Sequence, residues 1–487
     1  MTLETDAPDF NQPGLTWLNV PKPITLGQVF GRIVILDFWT FSCVNCLHIL
    51  PSMRRIERAF ADDVVIIGVH SPNFPYERQV ERVSKAIARY QIEHPIVHDP
   101  ELKLWDAYQV KAWPTLILLS PEGKIFQRQA GEPDADKLLE AVGNAVRRFK
   151  AMRKLRSGET ELQKAPQEGG SLRFPGQMAR VTINGNKFWA VADTGHHQIV
   201  LLNDQGQETQ RIGRGAPGGF KDGEFGGAAF DNPHSLAGSE DVLYVGEMGN
   251  HAIRKIDFKT KTVETLAGNT RRGLTLTKEV PAKETSLASV AGLALLDERL
   301  FFSNMGTHQI GELNLSTLTL QPFVGSGMKE IKDGKGRAAQ LAQPSGLAFS
   351  GDGKTLYFAD SDNSSIRQVD MKSAEVTTLA GKGMADSGKR NGAFNQARFQ
   401  HPLGVARWRD ALFVADTYNQ NIRRMELKNK TVEDSFKDFT SDDANPIPLA
   451  SPEGLAVEDN TLYVVDSSNH RIIAMDLVRK TWKAWAG

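Results

Sequence analysis

The chain is periodic from Phe174 to its last residue, and this periodicity limits the possible fold more than any other feature of the 487-residue sequence. One unit recurs: Pro-x-Gly-Leu-Ala, an apolar run that ends in an acidic residue, Asn-x-x-Ile-Arg, and a run that ends in Ala-Gly. Each unit contains four short strand patterns separated by turns, which is the content of one β-propeller blade. Six units therefore predict six blades. The residues that end the first run recur every 50 to 57 positions, at Asp193, Glu247, Asn304, Asp360, Asp416 and Asp466.

The consensus Ala-Asp-Thr/Ser-x-Asn-x-x-Ile-Arg resembles the NHL repeat. The third unit departs most from it, with Asn304 in place of the acid and His308-Gln309 in the turn. We interpret the repeated acids as structural rather than metal-binding or catalytic, because a carboxylate at the junction of a strand and a turn accepts backbone N–H groups. The arginines of the repeat are expected to pair with these acids or to cap turns. The repeat leaves open how the ring is sealed.

Long connections between the units predict where a partner binds. A propeller presents such connections on one face, and variable loops on a rigid scaffold usually carry binding. The residues that begin the inner strands are expected to line the mouth of that face. The candidates are His234, Ser345, Leu403 and Glu453, with the connections 213–231, 268–289, 325–343 and 381–401.

The chain has two cysteines, and they lie close together in its N-terminal part. The apolar run Ile33–Leu36 predicts a buried strand of a parallel sheet, and helical spacing of apolar residues predicts a helix over Leu47–Phe60. Cys43 and Cys46 therefore lie in the turn between strand and helix. Unpaired N–H groups and the helix dipole favour a thiolate at the first cysteine. The second can attack a mixed disulfide formed by the first.

This region resembles thioredoxin at four features spread over 145 or so residues. They are Asp37-Phe38-Trp39, Cys43-Val44-Asn45-Cys46, Pro51 and Trp113-Pro114-Thr115. The resemblance implies that Asp37 is buried beside the pair and moves protons for the second cysteine. It also implies that Pro51 kinks the active-site helix and that Pro114 is a cis-proline shaping a peptide groove. Trp39 and Trp113 are the substrate-contact candidates beside these positions. Val44-Asn45 replaces the usual Gly-Pro, and Ser42 replaces a common tryptophan.

The whole layout resembles the thioredoxin-fused NHL-repeat-containing proteins. We expect a multi-domain chain, α/β followed by all-β, with a thioredoxin-like domain at 1–157, a linker at 158–172 and a six-bladed NHL β-propeller at 173–487. The resemblance implies that the cysteine motif faces a cleft between the two domains, where a protein partner docks.

Composition restricts the partners and the compartment. Basic and acidic residues balance at 58 each, which makes nucleic acid an unlikely partner. Two cysteines form no disulfide framework, and no stretch is apolar enough to cross a bilayer, so we expect a cytoplasmic protein without membrane contact. A monomer is favoured. We expect no cofactor beyond the Cys43–Cys46 disulfide and no metal, since His48 is the one candidate ligand near the cysteines.

Two classes of function fit these features. The first is a thiol–disulfide oxidoreductase, with Cys43 attacking, Cys46 resolving, Asp37 accepting a proton and Pro114 shaping the groove. The second is a protein- or RNA-binding scaffold with a redox-sensitive cysteine pair. A minor third is a thiol peroxidase, because Thr40-x-x-Cys43 is similar to the peroxiredoxin motif. Leu36 stands where that motif has proline.

Overall fold

The computed structural model describes residues 5–156, 158, 160–163, 169–443 and 445–487. The chain divides into two compact units, Met1–Glu168 and Gly169–Gly487. The predicted linker 158–172 lies partly outside the described residues. No helix among the described residues is long and apolar enough to cross a membrane.

The first unit is a seven-stranded mixed sheet with the order β1-β7-β6-β3-β4-β5-β2. Its strands are β1 (Thr5–Asp6), β2 (Thr16–Leu18), β3 (Ile33–Trp39), β4 (Val64–His70), β5 (Ile96–His98), β6 (Thr115–Leu119) and β7 (Lys124–Ala130). Its helices are α1 (Val44–His48), α2 (Leu50–Ala59), α3 (Val80–Tyr90), α4 (Lys103–Ala107) and α5 (Ala135–Ala151).

The central strands are the continuous apolar runs of the sequence. β3 and β4 pair in parallel and are buried at every position, as expected for a sheet covered on both faces. The predicted helix over Leu47–Phe60 is interrupted at Ile49, and Pro51 lies in the first turn of α2. Asp134 caps α5 by accepting the N–H groups of Asp136 and Lys137.

The second unit is a six-bladed propeller, as predicted. Every blade is an antiparallel meander of four strands, and blades 2 to 6 add a two-residue strand at the outer edge. Blade 1 is β8 (Met178–Ile183), β9 (Asn186–Asp193), β10 (Gln198–Leu202) and β11 (Glu208–Ile212). Blade 2 is β12 (Gly223–Glu224), β13 (Pro233–Gly238), β14 (Val242–Glu247), β15 (Ala252–Asp257) and β16 (Thr262–Ala267). Blade 3 is β17 (Val280–Pro281), β18 (Val290–Leu296), β19 (Arg299–Asn304), β20 (Gln309–Asn314) and β21 (Thr319–Val324).

The remaining blades repeat this order. Blade 4 is β22 (Gly334–Lys335), β23 (Pro344–Phe349), β24 (Thr355–Asp360), β25 (Ser365–Asp370) and β26 (Glu375–Ala380). Blade 5 is β27 (Gly392–Ala393), β28 (Gly404–Trp408), β29 (Ala411–Asp416), β30 (Asn421–Glu426) and β31 (Thr431–Asp434). Blade 6 is β32 (Thr440–Ser441), β33 (Pro452–Glu458), β34 (Thr461–Asp466), β35 (Arg471–Asp476) and β36 (Thr481–Ala486).

The acids of the repeat are structural, which confirms the sequence interpretation. Asp360 is fully buried and accepts the N–H of Ala342 at 2.7 Å, the amide of Asn363 at 2.7 Å and the guanidinium of Arg367 at 2.7 Å. Arg367 also donates to the carbonyl of Gln340. Each unit thereby fixes the connection that enters its own inner strand. Equivalent ion pairs are Glu247–Arg254, Asp416–Arg423 and Asp466–Arg471, each at 2.9 Å.

A second repeated contact joins neighbouring blades at five of the six junctions. The residue at the turn between a blade's second and third strands has a left-handed backbone conformation. Its side chain accepts the backbone N–H of a residue that precedes the inner strand of the next blade. The acceptor–donor pairs are His197–Asn232, His251–Ser289, His308–Gln343, Ser364–His401 and His470–Phe174, at 3.0 to 3.2 Å.

The ring is sealed by these same contacts and not by an exchanged strand. Blade 1 takes all its strands from the start of the unit and blade 6 takes all of its strands from the end. His470 of blade 6 accepts the N–H of Phe174, which precedes blade 1. A β-carbon at Gly454 would lie 2.6 Å from the carbonyl oxygen of Gly176, the close approach that also brings Gly404 against Glu453. Closure therefore reproduces an ordinary junction between blades.

Candidate redox site

The two cysteines occupy the turn that leaves β3 and enters α1. Cys43 is the residue before the first turn of α1, and its carbonyl accepts the N–H of Cys46 at 2.9 Å. The N–H of Cys43 in turn binds the carbonyl of Thr40 at 3.2 Å. These backbone bonds place both sulfurs at one end of the helix. The structure holds them as free thiols.

The two thiols differ in exposure and in proton affinity. Cys43 is half-buried, whereas Cys46 is only 1% exposed. Burial, the hydrogen bond to the Cys43 sulfur and the charge of that sulfur raise the pKa of the Cys46 thiol well above its ordinary value, and the charge of Asp37 adds to the effect. A backbone hydrogen bond with Thr40 acts in the opposite direction. Cys46 therefore needs a base before it can act as a nucleophile.

Asp37 is the buried acid whose charge acts on the Cys46 thiol. It lies on β3, is 1% exposed, and neither carboxyl oxygen accepts a hydrogen bond from any residue that the structure describes. Burial raises the pKa of Asp37 to about 7, and the nearby His94 opposes that rise. A carboxyl group with such a pKa exchanges protons readily near neutral pH.

The Trp113–Pro114 loop completes the surroundings of the pair. The Trp113–Pro114 peptide bond is cis, and Pro114 is buried. Trp113 is half-buried, and its indole N–H donates to the carbonyl of Ser71 at 3.1 Å. Trp113 packs in one apolar cluster with Cys43 and Cys46. The two cysteines and Trp113 thus share one cluster, whereas the catalytic roles of Cys43, Cys46, Asp37 and Pro114 and the binding role of Trp113 stay predictions.

Trp39 lies in the core and packs in one apolar cluster with Cys46. Its side chain is 1% exposed, and its ring packs edge-on against His70 at 5.1 Å. Its contact with a docked partner stays a prediction.

Glu77 supports the cysteine turn and was not recognised from the sequence. Glu77 lies in a short 3₁₀ helix, Pro75–Arg78, that precedes α3. Its buried carboxylate accepts the hydroxyl of Thr40 at 2.6 Å, the N–H of Ser42 at 3.0 Å and the N–H groups of Asn73 and Phe74 just before it. Burial raises the pKa of Glu77 despite these bonds. Nothing in the local pattern distinguishes this glutamate from a surface one.

His48 is engaged away from the sulfurs. Its Nδ1 lies 3.2 Å from a carboxylate oxygen of Glu132. No group of three histidine, cysteine, aspartate or glutamate side chains converges on a metal position within the described part of the chain.

The propeller candidates occupy the starts of inner strands. His234, Ser345 and Glu453 are second residues of β13, β23 and β33, and all three are buried. Leu403 immediately precedes β28 and is half-buried. Their backbones form the junctions between blades, and their contribution to binding stays a prediction.

Family models and curated relatives match both units. A thioredoxin-like model matches residues 31–125 and an NHL-repeat model matches residues 449–474. "NHL repeat-containing protein 2" of Bos taurus is 34% identical over 97% of this chain and 70% of its own length. "Protein SUPPRESSOR OF QUENCHING 1, chloroplastic" of Arabidopsis thaliana is 33% identical over 97% of this chain and 47% of its own. "Thiol-disulfide oxidoreductase YkuV" of Bacillus subtilis is 26% identical over 27% of this chain and 86% of its own.

Fold and site together define a thioredoxin-like domain joined to an NHL-repeat β-propeller. The identity and coverage show more: the chain belongs to the family of NHL repeat-containing protein 2.

Proposed function

We propose that this protein is a thiol–disulfide oxidoreductase that uses Cys43 and Cys46. The observation that carries the proposal is the unequal pair: a half-exposed thiol next to a buried thiol, with an unpartnered buried carboxyl acting on the buried one. A structural pair would need neither the exposure of Cys43 nor an acid in the core. The similarity of the first unit to a protein named as a thiol–disulfide oxidoreductase supports the same chemistry.

The reaction runs in two displacements. The Cys43 thiolate attacks one sulfur of a substrate disulfide, forming a mixed disulfide and releasing one substrate thiolate, which water protonates. Asp37 then takes the proton of Cys46, and the Cys46 thiolate attacks the Cys43 sulfur. The Cys43–Cys46 disulfide forms and the second substrate thiolate leaves. Two electrons pass to the substrate, and an external dithiol returns them in the next cycle.

Turnover tests the proposal directly. The reduced protein is expected to reduce insulin disulfides with dithiothreitol as donor. With insulin, C46S is expected to accumulate a mixed disulfide on Cys43, because the resolving thiol is missing. C43S in the same background removes that adduct. A wild-type protein that neither reduces insulin nor equilibrates with glutathione would refute the oxidoreductase and leave the binding scaffold.

The propeller is proposed to dock the protein substrate through the face that carries the connections between blades. The antiparallel order of the four strands places every such connection on one face. Five connections each expose a large apolar side chain, and we propose that these side chains together contact the protein substrate. These side chains are Phe220, Leu274, Met328, Met384 and Ile447.

Charge substitutions on the two faces separate docking from general surface effects. In the C46S background, L274E with M328E is expected to lower the yield of protein adducts trapped on Cys43. V478E is the matched control, because Val478 is an equally exposed apolar residue in a hairpin of the opposite face. Equal yields from all three proteins would remove the docking role from this face.

The cytoplasmic location stays a prediction.

A further inference from the structure

The face that carries the connections between blades is unevenly charged. The whole chain has equal numbers of basic and acidic residues, but the connection 268–289 exposes four bases, 325–343 exposes four and 381–401 exposes three, against five exposed acids in all. The ion pairs that neutralise part of this charge are Asp333–Arg367, Asp386–Arg398, Lys329–Asp362 and Lys389–Asp434. Nine exposed bases and three exposed acids remain outside these pairs. We call these three consecutive connections the basic sector.

The connections on either side of the basic sector lack this excess. Among the described residues of 213–231 and 435–451, the exposed bases are Arg214, Lys221 and Lys437, and the exposed acids are Asp222, Glu224, Asp438 and Asp442. Positive charge concentrated on one part of a surface raises the local concentration of a negatively charged partner. The face is therefore suited to an anionic partner over blades 3 to 5.

The connection into blade 3 is held differently from its neighbours. In blades 2, 4 and 5 an arginine of the third main strand donates to a carbonyl of the connection that enters the same blade. The donor–acceptor pairs are Arg254–Lys221, Arg367–Lys332 and Arg423–Arg390. Blade 3 has Gly311 at this position of the register. The side chain of Gln309 instead accepts the N–H of Leu276 at 2.8 Å and donates to its carbonyl at 3.0 Å.

A cavity opens in this connection, at one end of the basic sector. Its volume is about 330 Å³, within the range of pockets that bind ligands. Its lining includes the bases Arg272 and Lys278 and the apolar Leu274, which is 80% exposed. The site therefore combines positive charge with an apolar contact.

The three connections of the basic sector form one continuous surface. A β-carbon at Gly327 would lie 2.4 Å from Oγ1 of Thr275, which lines the cavity. A β-carbon at Gly383 would lie 3.5 Å from Cγ2 of Ile331. Each connection thus touches the next, and an extended segment bound at the cavity can continue over blades 4 and 5.

We propose that the basic sector binds an acidic segment of the protein substrate and that the cavity takes one apolar side chain of that segment. Arg272 and Lys278 pair with carboxylates beside that side chain, and Leu274 packs against it. The other bases of the sector speed the encounter and select against basic segments. This inference rests on the proposed docking role of the propeller and specifies the chemistry of the docked segment.

An acidic peptide fits this surface better than a nucleic acid, although both are anionic. Surfaces that bind single-stranded nucleic acid stack its bases on aromatic side chains. The three connections lie wholly within the described residues and expose no aromatic ring, since Phe394 and Phe399 are buried. They expose Leu274, Met328 and Met384 instead, and methionine adapts readily to the side chains of a peptide.

The test measures peptide binding to the full chain by fluorescence anisotropy. The probe is a labelled Glu/Ser peptide with one central leucine. K278E with K332E is expected to weaken binding by about tenfold, because two attractive charges become repulsive. K372E with K428E is the matched control, because these exposed lysines lie in hairpins of the opposite face and undergo the same change of charge. L274S should weaken binding of this probe, but not of a probe in which serine replaces the leucine.

Several results would overturn the assignment. They are no binding of the probe by the wild type, equal losses in both lysine pairs, and equally tight binding of a Lys/Ser peptide. A labelled single-stranded RNA that binds more tightly than the probe and is lost in K278E with K332E would replace the peptide by a nucleic acid. Insulin reduction separates this site from the redox proposal. Reduction without probe binding would remove the site and leave the oxidoreductase, whereas probe binding without reduction would leave the site and remove the oxidoreductase.

Discussion

The junction between blades 3 and 4 makes the stability of the propeller depend on pH. His308 is buried in the turn after β19, and its Nδ1 accepts the N–H of Gln343 at 3.1 Å. Burial lowers the pKa of His308 to about 4, the charges of Lys329 and Arg272 act in the same direction, and Asp362 opposes them. The folded propeller thus keeps this imidazole neutral.

The sign and size follow from linkage. An unfolded chain protonates histidine near pH 6.5, so between pH 6.5 and 4 the unfolded state binds more protons. The contribution of His308 is therefore fully present above pH 6.5 and is lost as the pH falls. The loss is about 2 kcal/mol at pH 5 and on the order of 3 kcal/mol at pH 4.

Another blade of the same propeller shows which residue can replace His308 without titrating. Blade 4 has Ser364 at the equivalent turn position, and its hydroxyl accepts the N–H of His401 at 3.2 Å. H308S should keep an acceptor at the junction and remove the titration. Urea unfolding, with hydrogen exchange of blades 3 and 4 to assign the transition, is measured for both proteins at pH 8 and pH 5. Wild type should lose about 2 kcal/mol more than H308S between these values. Parallel losses would refute the reasoning.

Three further predictions use the same kind of contrast. The pKa of Asp37 is raised to about 7, so its contribution to the free energy of unfolding is present below pH 4 and lost as the pH rises to 7. In urea unfolding, D37N should therefore gain on the order of 4 kcal/mol over wild type across that range. D37N should also resolve mixed disulfides more slowly. H470A should cost about 1–2 kcal/mol and loosen Phe174 in hydrogen exchange, since it removes the acceptor that seals the ring, and an unchanged exchange rate would contradict this. G404A should cost about 1–3 kcal/mol in urea unfolding, because its β-carbon would lie 2.1 Å from the Glu453 carbonyl, whereas G226A meets nothing within 4 Å and should be neutral.

The sequence predicted features that depend on residues close together in the chain and missed contacts between residues far apart in it. The blades and the cysteine turn were predicted from local spacing, the cis-proline loop was implied by the resemblance to thioredoxin, and the structure has all three. Glu77 lies far from the cysteine turn in the chain and contacts Thr40 and Ser42 only in the folded domain, so no spacing indicates it. The sequence also did not indicate the burial of Trp39, because a residue next to a cysteine motif can still point into the core.

Asp37 differs from the satisfied buried acids of both units, and this contrast is the strongest physical argument for a redox role. In the propeller, Asp360 and Asp416 each receive a backbone N–H, an asparagine amide and an arginine, so burial is matched by donors. In the first unit, Glu77 is satisfied in the same way by four donors. Asp37 alone among these four acids has no donor within the described residues, and such a group costs about 1–3 kcal/mol. Buried carboxylates elsewhere in this protein are surrounded by hydrogen-bond donors, whereas Asp37 is not. A carboxylate without donors holds a proton more readily, as the proposed proton acceptor for Cys46 requires.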